Sequence, residues 1–268
     1  MKDIFDLNDR VAIVTGGAGG IGRAICKQLG AFGARIALID IHQQGMDDAA
    51  VELNGIGVEV HTYLCNASME AEVDATYARV ATEMGIPDIL INNAAAGIHT
   101  PPQDTTLAEW DRVIALSLTG YFLNARAFAR LVIPGKKSAA VVNIASIAGS
   151  SAIGRGNFAY SVAKGGVIQM TKELAIEWAT LGIRVNAIQP CSVNTPGWRA
   201  WVASEGEAAR KLNEHLLKGI PLGRVAEPED IASAAHFLAS DGAAMITGVI
   251  LPGDGGNLAF NAGGTLGS

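Results

Sequence analysis

Tyr160 and Lys164 stand four positions apart in G-R-G-N-F-A-Y-S-V-A-K-G-G-V-I, residues 154–168. On a helix, residues i and i+4 share a face about one turn apart. A phenol beside an ammonium is a device for moving a proton. The positive charge favours the phenolate and lowers the tyrosine pKa from its ordinary value near ~10. A tyrosine so tuned passes a proton to or from an alcohol or carbonyl near neutral pH. The same spacing also arises by chance on helix surfaces, where it is only a solvated pair. Its meaning depends on the elements around it.

Those elements alternate. Short apolar runs at 11–15, 35–40, 58–64, 89–92, 139–143, 184–189 and 249–251 read as strands, and most are nearly all apolar, as parallel strands covered on both faces are. Helical patterns lie between them: Ile21, Ile25, Leu29 and Phe32 form one stripe at three- and four-residue spacing. The alternation predicts an α/β fold, a doubly wound parallel sheet of about seven strands with helices on both faces. The 268 residues contain no repeat, low-complexity tract or convincing linker, so one Rossmann-type domain over 1–268 is expected.

Composition narrows the function. Hydrophobic residues make up 49%, and the formal net charge is −6 without a dense Lys/Arg stripe, which argues against a nucleic-acid partner. No apolar run reaches the ~18 residues of a membrane span. The start, M-K-D-I-F-D-L-N-D-R, has acids where a secretory signal would be apolar, so no targeting segment is expected. Cys26, Cys65 and Cys191 are widely spaced with no C-x-x-C, which suits a reducing cytoplasm and gives no metal site.

The first strand runs into Thr15-Gly16-Gly17-Ala18-Gly19-Gly20-Ile21-Gly22 and then a helix. Glycines let the backbone approach a phosphate, and the helix N-terminus offers free N–H groups. The strand-before, helix-after context makes this a dinucleotide turn rather than a flexible loop. Asp40 closes the second strand, where an acid binds a ribose 2′-hydroxyl. A carboxylate there repels the extra phosphate of NADP, and neither Gly17 nor Ile41 supplies a compensating base, so NAD is expected. His42 could in principle supply one, but an imidazole is a poor substitute for a permanent positive charge.

With these motifs the chain resembles the short-chain dehydrogenase/reductase family over nearly its whole length. T-G-G-A-G-G-I-G (15–22), N-N-A-A (92–95), N-I-A-S-I-A-G (143–149), Y-S-V-A-K (160–164), R-V-N-A-I-Q-P (184–190), P-L-G-R-V-A-E-P-E-D-I-A (221–232) and L-P-G-D-G-G (251–256) follow the family in order. The resemblance implies hydride transfer between a nicotinamide and a secondary alcohol or ketone. It makes Tyr160 the general acid/base and Lys164 its partner and the ribose holder. Ser146 hydrogen-bonds the substrate oxygen. Gly16, Gly20, Ile21, Gly22, Asp40, Asn66, Asn93, Val193 and Thr195 become cofactor contacts. For Asn93 a strand-end cap is a contending role.

Four positions depart from the family pattern. Ser117 stands where an asparagine usually helps to keep a water in a proton relay to the lysine, so slower rather than absent catalysis is expected. Asn66 replaces an aspartate that contacts adenine, and its amide offers both donor and acceptor. Cys191 replaces a glycine near the nicotinamide or substrate, as a contact or simply a packed thiol. Alanine ends N-N-A-A in place of glycine.

Residues 195–219, with Trp198 and Trp201, resemble the family's substrate lid. His99 and Arg155 lie in segments that border the family's pocket, and an arginine suits a carboxylate or phosphate. A surface role for each, and simple lid packing for the tryptophans, are the alternatives. The family is commonly tetrameric or dimeric, and the tail 257–268 is a candidate interface segment or a frayed end. The expected substrate is a small polar alcohol or ketone: a sugar, polyol or hydroxy acid. The alternatives are a 3-oxoacyl thioester reductase and, in another class, a nucleotide-binding regulatory protein with little turnover.

Overall fold

The computed structural model describes residues 3–260, without the side chains of residues 201, 205, 208–210, 212 and 213. Seven parallel strands form one sheet: β1 (Val11–Thr15), β2 (Arg35–Asp40), β3 (Val60–Leu64), β4 (Ile89–Asn92), β5 (Ala139–Ile144), β6 (Ile183–Pro190) and β7 (Ile250–Gly253). Their order is β3-β2-β1-β4-β5-β6-β7. The order reverses between β1 and β4, and a ligand crevice opens at such a switch, beyond the strand C-termini.

The helices are α1 (Gly20–Ala31), α2 (Gln43–Gly55), α3 (Glu70–Glu83), α4 (Leu107–Ile114), α5 (Gly120–Val132), α6 (Phe158–Trp178), α7 (Pro196–Lys218) and α8 (Pro228–Ala239). The period of two along β1 divides the core. Ala12 and Val14 pack with Ile25 and Leu29 of α1, Leu53 of α2 and Ile231 of α8. Val11 and Ile13 face the other way, onto Tyr77 of α3, Phe128 of α5 and Ala175 of α6. The sheet is therefore buried on both faces, which is why its strands read as continuous apolar runs.

Several boundaries of β3, β5, β6 and β7 differ by one or two residues from the expected ones, and two of them have a local reason. The expected third strand began at residue 58, but the Val58 N–H donates to Leu53 O and so completes the turn after α2. The seventh starts one residue late because the Val249 N–H donates to the Asn186 side chain at 3.0 Å instead of to a strand. Among the described residues no helix is long and apolar enough to cross a membrane, and no cluster of His, Cys, Asp and Glu could hold a metal ion.

Candidate active site

The nucleotide end of the crevice is built by the β1–α1 turn. Gly16 has φ +65°, and a side chain on Gly22 would collide with the Gly16 carbonyl, so turn and helix touch through bare backbone. No side chain caps α1, whose N-cap is Gly19, so its first N–H groups remain for an anion. Asn93 ties this turn to β4: its Nδ2 donates to Thr15 O at 3.0 Å and Gly16 O at 3.1 Å, and its N–H donates to Thr15 Oγ1 at 3.0 Å. The strand-end role is thus real, and Asn93 lines the crevice as well.

A groove of about 290 Å³ holds Gly16, Asp40, Asn66 and Asn93 together. Asp40 accepts from the N–H groups of Ala18 at 3.0 Å, Ile41 at 2.7 Å and His42 at 3.1 Å, which fixes its carboxylate. Asn66 Oδ1 accepts from Ser68 N at 3.1 Å and Ser68 Oγ at 2.7 Å, leaving the amide nitrogen for a ligand. The nearby guanidinium of Arg23 is occupied. Its Nε donates to Ala18 O at 2.9 Å and its Nη2 to Gly45 O at 3.0 Å, while Nη1 lies 3.5 Å from Glu52. These residues fit a dinucleotide.

Beyond Asn93 and Ala95, which line both spaces, a cavity of about 720 Å³ opens. It brings together Ile21, His99, Ser146, Arg155, Tyr160, Lys164, Cys191, Val193, Thr195 and Trp198 of the expected set. Ser146 follows β5, and its Oγ accepts from Ala148 N at 3.2 Å, so its own proton stays available to donate. Tyr160 and Lys164 come from the first turns of α6. Thr195 caps α7, accepting from Trp198 N at 3.1 Å. Val193 is buried and forms a parallel bridge to Ala226. The Trp201 side chain lies outside the described ones.

The Tyr–Lys pair departs from the simplest expectation. The ammonium does not lower the tyrosine here: burial raises the Tyr160 pKa, and a hydrogen bond with Ser146 pulls it partly back. Lys164 Nζ lies 5.5 Å from the centre of the Tyr160 ring. It donates instead to Ile144 O at 2.7 Å and to Tyr121 Oη at 2.9 Å. Burial brings the Lys164 pKa down to about 7. Sequence reasoning passed over Tyr121. Its only signal was its position in D-R-V-I-A-L-S-L-T-G-Y-F, four residues after Ser117.

Ser117 is fully buried in a π-helical turn, Ala115–Thr119, that joins α4 to α5. Its Oγ donates to Ala96 O at 2.8 Å and accepts from Ala96 N at 2.9 Å. The side chain holds the loop after β4 and does not line the 720 Å³ cavity. Cys191 is half-buried, and burial raises its thiol pKa, which favours the neutral thiol. His99 Nδ1 lies 3.3 Å from the Arg155 carbonyl. Arg155 itself sits at φ +61°, an unusual conformation for a residue with a side chain.

Known proteins resemble this chain in sequence and in fold. A family model described as enoyl-(acyl carrier protein) reductase matches residues 16–257. D-threitol dehydrogenase of Mycolicibacterium smegmatis is 40% identical over 94% of each chain. Galactitol 2-dehydrogenase (L-tagatose-forming) of Cereibacter sphaeroides is 37% identical over 95% of this chain and 97% of its own. A solved putative 2-deoxy-D-gluconate 3-dehydrogenase from Agrobacterium tumefaciens, with bound NADP, superposes with TM-score 0.88 at 35% identity over 97% of this chain and all of its own. The chain belongs to the short-chain dehydrogenase/reductase family, and it is an oxidoreductase acting on CH–OH groups. The family uses a nicotinamide cofactor.

Proposed function

We propose that this enzyme interconverts a secondary alcohol and a ketone on a small polar substrate, of the sugar, polyol or hydroxy-acid class, with NAD as cofactor and Tyr160 as general acid/base. The observation that carries the reading is the convergence of Ser146, Tyr160 and Lys164 on one cavity that continues past Asn93 into the dinucleotide groove. The bound nicotinamide supplies or accepts the hydride. Ser146 donates a hydrogen bond to the substrate oxygen and steadies the charge that develops there. Tyr160 takes the hydroxyl proton in oxidation and returns it in reduction. Lys164 holds the ribose of the cofactor and brings positive charge towards the phenol.

The NAD preference rests on Asp40, fixed by three backbone N–H groups, and on the commitment of Arg23 to two carbonyls and Glu52. Two relatives whose names specify a polyol support the substrate class. A 3-oxoacyl thioester reductase is the second reading; the description of the matching family model shares its acyl-carrier thioester but names reduction of a C=C bond rather than of a ketone. Tyr160→Phe tests the mechanism: turnover falls by about a hundredfold or more while NADH still binds. Turnover close to wild type would remove Tyr160 from the proton step.

Arg155 bears on the substrate. Its guanidinium has no partner among the described residues, it borders the cavity, and no carboxylate side chain lines that cavity. It therefore suits a carboxylate or phosphate on the substrate. Arg155→Ala should raise KM for hydroxy acids about tenfold and leave neutral polyols unaffected, in line with the loss of one charge-assisted hydrogen bond. Equal KM for both classes in the variant and the wild type would return Arg155 to a surface role.

A further inference from the structure

The ammonium of Lys164 is almost completely buried at 1% exposure, and among the described residues no carboxylate oxygen lies within 4.0 Å of it. A buried charge without a counter-ion is costly unless hydrogen bonds replace its lost water. Two acceptors do so, the Ile144 carbonyl at 2.7 Å and the Tyr121 hydroxyl at 2.9 Å. Tyr121 is itself 2% exposed and donates its own proton to the same Ile144 carbonyl at 2.9 Å. The three groups form a closed triangle. It directs a lone pair of Tyr121 at Lys164 and anchors both on the last residue of β5.

Tyr121 reaches this place because α5 begins with Gly120 pressed against Ala67 and because Asn92 Nδ2 donates to the Tyr121 carbonyl at 3.3 Å. The ring packs with Ala145, Val167 and Ile168. It also lies under the ammonium, with Nζ 4.5 Å from the ring centre. Burial holds the Tyr121 pKa well above its ordinary value, so the group stays a neutral phenol throughout the working range. The hydroxyl proton is held inward, on a backbone carbonyl, and leads nowhere. Tyr121 is thus unsuited to relaying protons and suited to holding a cation.

We propose that Tyr121 is a positioning residue for this reaction: its hydroxyl fixes the Lys164 ammonium and keeps it charged, and it acts on Tyr160 only through Lys164. This rests on the proposed role of Lys164, but the test below needs no substrate. The ammonium retains an N–H donor beyond the two used by Tyr121 and Ile144, available for the ribose or for Tyr160. The titratable groups facing Nζ are the two phenols, Tyr121 from α5 and Tyr160 from α6. Farther around the same cavity stand His99, Arg155 and Cys191. Ser117, one turn before Tyr121, is occupied at Ala96, so the partner that this helix gives to Lys164 is the tyrosine.

The test compares wild type with Tyr121→Phe, which removes the acceptor and keeps the ring. Lys164 acetylation by acetic anhydride is followed across pH in the cofactor-free protein and read by peptide mass spectrometry. In wild type the rate inflects at about 7. Losing one hydrogen bond to a charged group disfavours the ammonium, so in the variant the inflection moves down by about one pH unit. NADH affinity, followed by fluorescence over the same range, should weaken about fivefold near pH 7, where the lysine of the variant has lost most of its charge and that of the wild type about half. Tyr121→Leu, which also removes the ring under the ammonium, should give at least the same displacement and so covers a failure of the first variant to fold. An inflection and an NADH pH profile unchanged in either folded variant would overturn the proposal and leave Tyr121 as packing.

Discussion

Lys164 shows most clearly what a residue gains and loses by its placement. Burial pushes its pKa from the ordinary 10.5 down to about 7. Between those values the unfolded chain binds more protons than the folded one, so stability rises with pH across that window, and the cost of the charge is fully present below about 7. Lys164→Met should raise the thermal midpoint of the cofactor-free protein, most around pH 6, with the gain fading towards 10.5. A gain that does not vary with pH would contradict this origin. The spacing of Tyr160 and Lys164 was legible because helix geometry puts i and i+4 on one face. Which oxygen the ammonium would choose was not legible, since Tyr121 and Ile144 come from two other elements that meet only when the sheet and α5 pack.

At the scale of elements, the π-helical turn between α4 and α5 carries the main departure from the family. Ser117 uses one hydroxyl to bond both the carbonyl and the N–H of Ala96. An asparagine amide has an acceptor and a donor on separate atoms and can make the same pair of bonds. Ser117→Asn is therefore expected to keep the loop after β4 in place and to give turnover equal to or above wild type. A large loss of turnover in a folded variant would show that the buried space around position 117 does not admit the larger side chain. The strand–helix alternation was readable from apolar runs because a doubly covered parallel sheet needs them. The ends of β3 and β7 were not, because single hydrogen bonds from Val58 and Val249 set them.

At the scale of the whole molecule, apolar side chains remain exposed along the outer faces of α4, α5 and α6. Leu107, Phe122, Phe158, Val162 and Ile176 are among them. Phe158 packs against Trp110, with ring centres 5.6 Å apart, so this surface is continuous from α6 to α4. We infer that a second copy of the chain covers it, in keeping with the family's common dimers and tetramers. Sedimentation should give a dimer or tetramer, and Val162→Asp should shift it towards monomer. A wild-type monomer at micromolar concentration would contradict the inference. Seven strands and a single domain could be read in advance from composition and order. The dimensions of the cavity could not, because residues 144–160 and 190–198, far apart in sequence, form it together.

The most direct measurement is the absorbance of reduced nicotinamide formed by the purified enzyme with D-threitol, galactitol, glycerol, hydroxy acids and 3-hydroxyacyl thioesters, with NAD and NADP offered in parallel at mildly alkaline pH. Reduction of NAD by a polyol, sugar or hydroxy acid, with NADP at least about tenfold poorer in kcat/KM, is the predicted result and corresponds to one charge–charge conflict at Asp40. Turnover confined to NADP would show that Asp40 does not exclude the extra phosphate, and turnover confined to thioesters would contradict the polar-alcohol reading.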